Sequence, residues 1–259
     1  MRRGLHPAMR LTVITICRNA AATLRRAVAS VLAQTRLPDE YLFVDGQSDD
    51  GTPELLDTLC AELSAHGIAA HWLRQEPLAP GAAGIPSAWN QGIAASTGDV
   101  IALLNGDDWY EPTALASAEE ALERHPEAGL AAFAVRFVLP GGRVRHVFRP
   151  QVMSQLPWRM PVPHPGLFVR RATYERCGRY DVGFRISADY DFVWRCHERG
   201  ERLVCCDEVV TNMELGGLAN SSRGLARLET RRIGSRHARG LRERSTVWLA
   251  WLTRIALRR

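Results

Sequence analysis

Residues 98–110 read GDVIALLNGDDWY, and this stretch decides the fold. Val100 to Leu104 are five consecutive apolar residues, the length and composition of a strand buried on both faces of a parallel sheet. The run ends abruptly in Asn105, Gly106, Asp107 and Asp108. Two adjacent carboxylates repel each other and cannot be core. They either cap the next helix or hold a hard cation in a crevice at the sheet's carboxyl edge. Glu111-Pro112 follows, as a capped helix would have it, so both readings stand and one acid can cap while the other binds.

Outward from this strand the rhythm repeats. Leu11 to Ile16 is a β-branched run, followed by a helical pattern with Leu24, Val28, Val31 and Leu32 on one face up to Pro38. Tyr41 to Val44 is a second strand, and Pro53 fits the first turn of a helix running to about Ala65. Ile68 to Leu73 is a third strand and Ser87 to Ala95 a helix. Such alternation predicts βαβ units and a parallel sheet. After Pro126 the pattern changes. Leu130 to Leu139 and Val144 to Phe148 flank Pro140-Gly141-Gly142 as an antiparallel hairpin, so the second half is expected to form a different layer. Pro157 to Pro165 carries four prolines and reads as extended loop. Helices are expected over Ala172 to Cys177 and from near Asp189, a late strand over Arg202 to Cys206, and helix formers dominate from Arg223.

A chain of 259 residues with 46% hydrophobic content has room for one sizeable α/β core. All 33 basic residues are Arg, which reads as coding bias, so the net charge of +5 carries little by itself. Their crowding after Arg223 suggests an anionic surface or partner. The six cysteines form no C-x-x-C pair and read as reduced core residues, which suits a cytoplasmic location. Residues 1–9 read as a flexible extension, and no apolar stretch approaches the roughly 20 residues that span a bilayer.

Three loops carry acids. After the second strand comes Asp45-Gly46-Gln47-Ser48-Asp49-Asp50-Gly51-Thr52, which is what any βα turn wants, although Asp45 or Asp50 could accept hydrogen bonds from a base or ribose. Asp107 and Asp108 form the second group. In Ser187-Ala188-Asp189-Tyr190-Asp191 the acids sit among apolar residues, where one can cap a helix and where burial raises a carboxyl pKa toward use as a general base. His164, between Pro163 and Pro165, reads as a packed loop residue. No zinc cluster, dinucleotide glycine loop, Walker loop or nucleophile elbow is present.

In order and spacing, TVITICRNA, VDGQSDDGT, GIPSAWNQGIAASTGDVIALLNGDDWY, HPGLFVRRATYERCGRYD and SADYDFVWR together resemble the family 2 glycosyltransferases of the GT-A fold, over roughly residues 10 to 217. The resemblance implies a Rossmann-like, mostly parallel sheet with helices on both faces, a nucleotide-sugar half (10–125), a small antiparallel acceptor half (126–217) and a basic helical tail (218–259). It implies transfer, with inversion, of a sugar from a nucleotide-diphospho-sugar to a glycan or lipid-linked acceptor. Asp45 and Asp50 would hold the nucleoside, with Asn90, Asn105, Asp108 and His164 also around the donor. Asp107 would bind Mn²⁺ or Mg²⁺ at the diphosphate, and Asp189 would be the base. No nucleic acid is expected as a partner.

The chain also departs from that family. Asn105 replaces the usual first Asp of D-x-D, Ala82 and Ser87 stand where relatives often carry Asp, and Ala188 replaces the Glu before the base. The altered D-x-D keeps open a non-catalytic nucleotide-sugar-binding or assembly subunit, whereas a nucleotidyltransferase would need glycines that Cys17-Arg18-Asn19-Ala20 lacks. In the tail, Arg alternates with Trp248, Leu249, Trp251, Leu252, Ile255 and Leu257. Two readings stand for it: a helix packed on the domain, or an interfacial helix on the inner face of the membrane.

Overall fold

In the strand Val100–Asn105 (β4), alternate side chains enter two different cores, as a period of two requires. Val100, Ala102 and Leu104 join one apolar cluster, Ile101 and Leu103 the other. Both faces of the sheet are therefore covered, and the continuous apolar run is explained. The computed structural model describes residues 9–216 and 223–256. Residues 1–8 of the expected 1–9 extension and the expected boundary at 217–218 lie outside them.

The first half follows the anticipated alternation: β1 (Leu11–Cys17), α1 (Leu24–Leu32), β2 (Glu40–Asp45), α2 (Thr52–Ala65), β3 (Ala69–Arg74), α3 (Gly84–Ala95) and β4. Strands β3, β2, β1 and β4 are parallel neighbours in that order. Because β1 sits between β2 and β4, the chain reverses its winding direction there, and the crevice outside the carboxyl ends of β1 and β4 is a ligand position by topology. Register puts Cys17 beside Asp45 and Ile16 beside Asn105 at that edge. Helix α3 lies close over β1 because Gly92 lacks a Cβ, which would stand 2.6 Å from Ile14 Cγ2.

The second half corrects one expectation. It comprises β5 (Trp109–Tyr110), α4 (Ala114–Arg124), β6 (Ala128–Val138), β7 (Val144–Phe148), β8 (Leu167–Arg170), α5 (Arg171–Cys177), α6 (Ala188–Glu198) and β9 (Arg202–Glu214). These strands do not form a separate layer: all nine join one sheet in the order β3-β2-β1-β4-β8-β6-β9-β5, with β7 on β6. β6 and β7 form the expected antiparallel hairpin. Strand β8, too short to show a pattern, bridges β4 and β6 antiparallel to both, and so carries the sheet across. β9 runs eight residues beyond Cys206, through bulges against β6, until Asn212 meets Trp109 of β5. That pairing curls the sheet's far end back over the end of β4.

A second correction concerns the acids. α4 starts at Ala114 and has Thr113 at its N-cap position, so neither Asp107 nor Asp108 caps it. A third concerns the cysteines. All six are free thiols, but only Cys17, Cys177 and Cys196 are buried, while Cys205 is exposed.

Helices α7 (Arg223–His237) and α8 (Gly240–Ala256) make the tail. Ile233 of α7 is fully buried in the core beneath α6, and Val247 of α8 packs on Gly234, where a Cβ would meet its Cγ1 at 2.7 Å. The tail thus packs back on the domain, yet α8 leaves Leu241, Trp248 and Leu249 exposed at 85%, 56% and 53%. The side chain of Ile255 and residues 257–259 lie outside the described residues. Among the described residues, no helix is long and apolar enough to cross a membrane.

Candidate active site

The loop after β2 is built from its own acids. Asp45 is fully buried and its carboxylate accepts the amide of Ser48 at 3.1 Å and the Ser48 hydroxyl, a turn that leaves Gln47 at φ 62°. Ser48 Oγ in turn accepts the amide of Asn19, while the Asn19 side chain donates to Asp49 Oδ1 and accepts the Asp49 backbone amide, so the loops after β1 and β2 are braced together. Asp50 is exposed. Its Oδ1 accepts the amide of Thr52 at 2.9 Å, and the Thr52 contact lowers its pKa.

At the end of β4, Asn105 Nδ2 lies 3.1 Å from Asp108 Oδ2 and 3.2 Å from His164 Nε2. An amide nitrogen has two hydrogens, and each acceptor takes one. His164 is held neutral, with its pKa pushed down to about 4 by burial. A neutral ring that accepts at Nε2 carries its proton on Nδ1, which faces Asp189 Oδ2 at 3.8 Å. That separation exceeds a hydrogen bond, and the neutral ring makes no ion pair. Gly166 allows the His164–Gly166 turn to lie against β6, since a Cβ there would stand 2.6 Å from the Phe133 carbonyl oxygen, and Thr211 Oγ1 pins the turn through Pro165 O at 2.8 Å.

Asp189 stands in the first turn of α6, its side chain 20% exposed. Its Oδ1 accepts the amide of Tyr190 at 2.8 Å. Burial is the main cause of its pKa being raised to about 6, with the Glu229 carboxylate adding to the rise. Near neutral pH it is an ionised carboxylate with the basicity a general base needs.

Asp107 is partly buried between Glu214 and Arg26. Burial raises its pKa, Glu214 adds to the rise and Arg26 opposes it. Arg26 donates to the Asp107 carbonyl at 2.8 Å, pairs with Glu214 and lies over the Trp109 ring at 4.0 Å. Contrary to the expectation that neither acid could be core, Asp108 is buried: Oδ1 accepts the amide of Glu214 at 3.2 Å, so this carboxylate joins β9 to the end of β4. Burial, then Asp107, pushes its pKa well up. Among the described residues no three His, Cys, Asp or Glu side chains gather as a metal cage.

The structure therefore brings Asn105, Asp107, Asp108, His164 and Asp189 to one edge. Asn90 has another task. Its Oδ1 accepts the amide of Tyr180 at 2.9 Å and its Nδ2 donates to the Tyr180 carbonyl at 2.8 Å, fixing the loop before α6. Sequence reasoning missed Trp89, whose ring lies tilted 5.2 Å from that of His164, and Tyr180, whose ring lies tilted 5.0 Å from that of Trp89, and it missed Arg26, Glu214 and Glu229. Trp89 beside Asn90 was a usable signal, but Arg26 looks like any solvent-facing Arg of a helix.

The profile of the family described as glycosyl transferase family 2 matches residues 12–178. An uncharacterized glycosyltransferase of Mycobacterium tuberculosis is 31% identical over 204 residues, covering 76% of this chain and 74% of that protein. A PGL/p-HBAD biosynthesis glycosyltransferase of Mycobacterium bovis is 27% identical over 206 residues, covering 78% and 76%. In fold, the chain is similar to S. aureus TarS in complex with UDP-GlcNAc, with a TM-score of 0.69 at 17% identity, covering 95% of this chain and 72% of that one. It is equally similar to the mannosyltransferase PcManGT from Pyrobaculum calidifontis in complex with GDP-Man and Mn²⁺, with a TM-score of 0.69 at 18% identity, covering 93% and 68%.

Proposed function

This chain belongs to glycosyl transferase family 2, and from that premise we propose that it moves a sugar from a nucleoside-diphosphate donor to a hydroxyl of a glycan or lipid-linked acceptor, with inversion. The observation that carries this reading is the row Asp108, Asn105, His164, Asp189 at the carboxyl end of β4: hydrogen bonds join the first three, and Asp189 Oδ2, in the first turn of α6, stands 3.8 Å from His164 Nδ1, beyond hydrogen-bond distance. Donor and base would meet across it.

In the proposed reaction Asp189 takes the proton from the acceptor hydroxyl, whose oxygen forms a bond to the anomeric carbon as the bond to the diphosphate oxygen breaks. The nucleoside diphosphate leaves with the electron pair. Neutral His164 places no opposing charge beside Asp189 at neutral pH and does not compete with it for the proton. Exposed Asp50 is free to meet the nucleoside, while buried Asp45 shapes the loop that presents it.

Asp107 offers a hard oxygen at this edge, and no all-protein cage surrounds it among the described residues. That donor set fits Mg²⁺ or Mn²⁺ held by one carboxylate together with diphosphate oxygens, the usual mode for such ions. When bound, the cation would neutralise charge on the departing diphosphate. The Mn²⁺ in the Pyrobaculum complex supports this choice.

The exposed Leu241, Trp248 and Leu249 support a lipid-linked acceptor met at a membrane surface. The transfer reading is tested by incubating the chain with UDP-GlcNAc and GDP-mannose, with Mn²⁺ or with EDTA, and reading the anomeric configuration of the product by NMR. A retained configuration overturns inversion. Donor binding by calorimetry without turnover for any acceptor tried would favour a binding subunit instead.

A further inference from the structure

We infer that Glu229, on the tail helix α7, is a positioning residue for Asp189: its carboxylate clamps the backbone leading into α6 and so fixes where the base stands. This rests on the reading of Asp189 as the base. Glu229 Oε1 accepts the amide of Arg185 at 2.7 Å, and Oε2 accepts those of Ile186 at 2.8 Å and Ser187 at 2.9 Å. Three consecutive backbone donors converge on one carboxylate that is itself buried. Charge-assisted bonds of this kind are the strong ones. Without Glu229 these donors would lose their partners, since Ser187 at the N-cap position of α6 makes no side-chain cap of its own.

The clamp has a second point of attachment eight residues along α7, on the same face by helical geometry. His237 Nε2 lies 3.0 Å from Asp191 Oδ1, and its Nδ1 lies 3.1 Å from Glu198 Oε2. Its ring stacks on Trp194 at 5.8 Å and 12°. Asp191 shares the first turn of α6 with Asp189 and is tied down further by Arg195 at 2.8 Å. The middle and the last residue of α7 thus fasten α6 from its lead-in to its final residue, and the tail is part of the support for the site.

The groups facing Asp189 are His164 from the proline-rich loop, Tyr180 from the loop fixed by Asn90, and Glu229 from α7. His164 is neutral through burial and Tyr180 is held protonated by burial, which leaves Glu229 as the charge among them. Glu229 therefore acts on Asp189 twice, through backbone placement and through its field.

The test compares the parent with Glu229→Gln and Glu229→Asp by amide hydrogen exchange of residues 185–187, by carboxyl-carbon NMR titration of Asp189, and by hydrolysis of UDP-GlcNAc and GDP-mannose with Mn²⁺. Glu229→Gln is expected to speed exchange at 185–187 about tenfold or more and to move the Asp189 midpoint down. It should also lower kcat about tenfold, with the donor KM within about twofold. Glu229→Asp keeps the charge, so the Asp189 midpoint stays near the parent value while kcat still falls. A folded Glu229→Gln protein with parental exchange, midpoint and kcat overturns the inference. Should that variant fail to fold, parental kcat and exchange in Glu229→Asp overturn it instead. Turnover retained by Asp189→Asn would sink the base assignment, whereas an inactive Asp189→Asn beside an unaffected Glu229→Gln would sink only this inference. Exchange and titration need no donor, so they decide the question even where neither sugar nucleotide is turned over.

Discussion

Asn105 donates to His164 Nε2 at 3.2 Å, and this bond fixes which nitrogen of the ring carries the proton. An Asp in its place would bring a charge and no hydrogen to give. The departure from the family's D-x-D pattern therefore has a local purpose: it supplies two N–H donors, one to His164 and one to Asp108, next to carboxylates that already strain the electrostatics of this edge.

Asn105→Ala should accordingly cost about 1–3 kcal/mol of stability, the range for leaving buried acceptors unpaired. Nitrogen NMR of His164 should report a mixture of tautomers in place of one. A single unchanged tautomer would show that Asn105 does not set the ring.

For Asp189→Asn, kcat is expected to fall about 10²- to 10⁴-fold, as loss of a general base predicts, with donor affinity nearly kept. Turnover by the parent should decline as pH drops through about 6, where Asp189 takes up its proton. Stability runs the other way. A carboxyl whose folded pKa is raised contributes fully below its unfolded value of 3.8, and that contribution is lost as pH rises through about 6. Asp189→Asn should then raise the melting temperature at about pH 8 and have little effect near pH 4. Melting curves at both values check it.

Removal of the Asp107 carboxylate by Asp107→Ala should weaken Mn²⁺-dependent donor binding about tenfold or more. EDTA should weaken the parent to the same degree and leave the variant unchanged. Calorimetry with UDP-GlcNAc and GDP-mannose reads this, and equal EDTA sensitivity in both proteins would remove Asp107 as the ligand.

On α8, Trp248→Glu combined with Leu249→Glu should abolish co-sedimentation with vesicles rich in anionic lipid, while thermal stability stays near that of the parent because both side chains are more than half exposed. Binding that survives the double change would assign the exposed stripe to some other use.

Much of the fold was legible because the decisive segments are long and periodic. Val100 to Leu104 and the βα alternation around them follow from local pattern, and burial on both faces demanded their apolar runs. Strands β5 and β8 were not legible, for two and four residues carry no period, and their pairing is set by partners remote in sequence. The single sheet in place of two layers has the same cause.

The sequence by itself determined the parallel half, the order of the acidic loops and the family to which the chain belongs. It could name the acids but not divide their work, because composition does not record burial or the direction of a hydrogen bond. Only the tertiary structure set Asp108 as a brace between β4 and β9, spent the Asn90 amide on Tyr180, turned Asn105 toward His164, and brought Glu229 across from the tail to the backbone before Asp189. These contacts join residues 40 or more positions apart, or loops with no period of their own. The energy of such contacts lies in desolvation and geometry that exist only once the chain has packed.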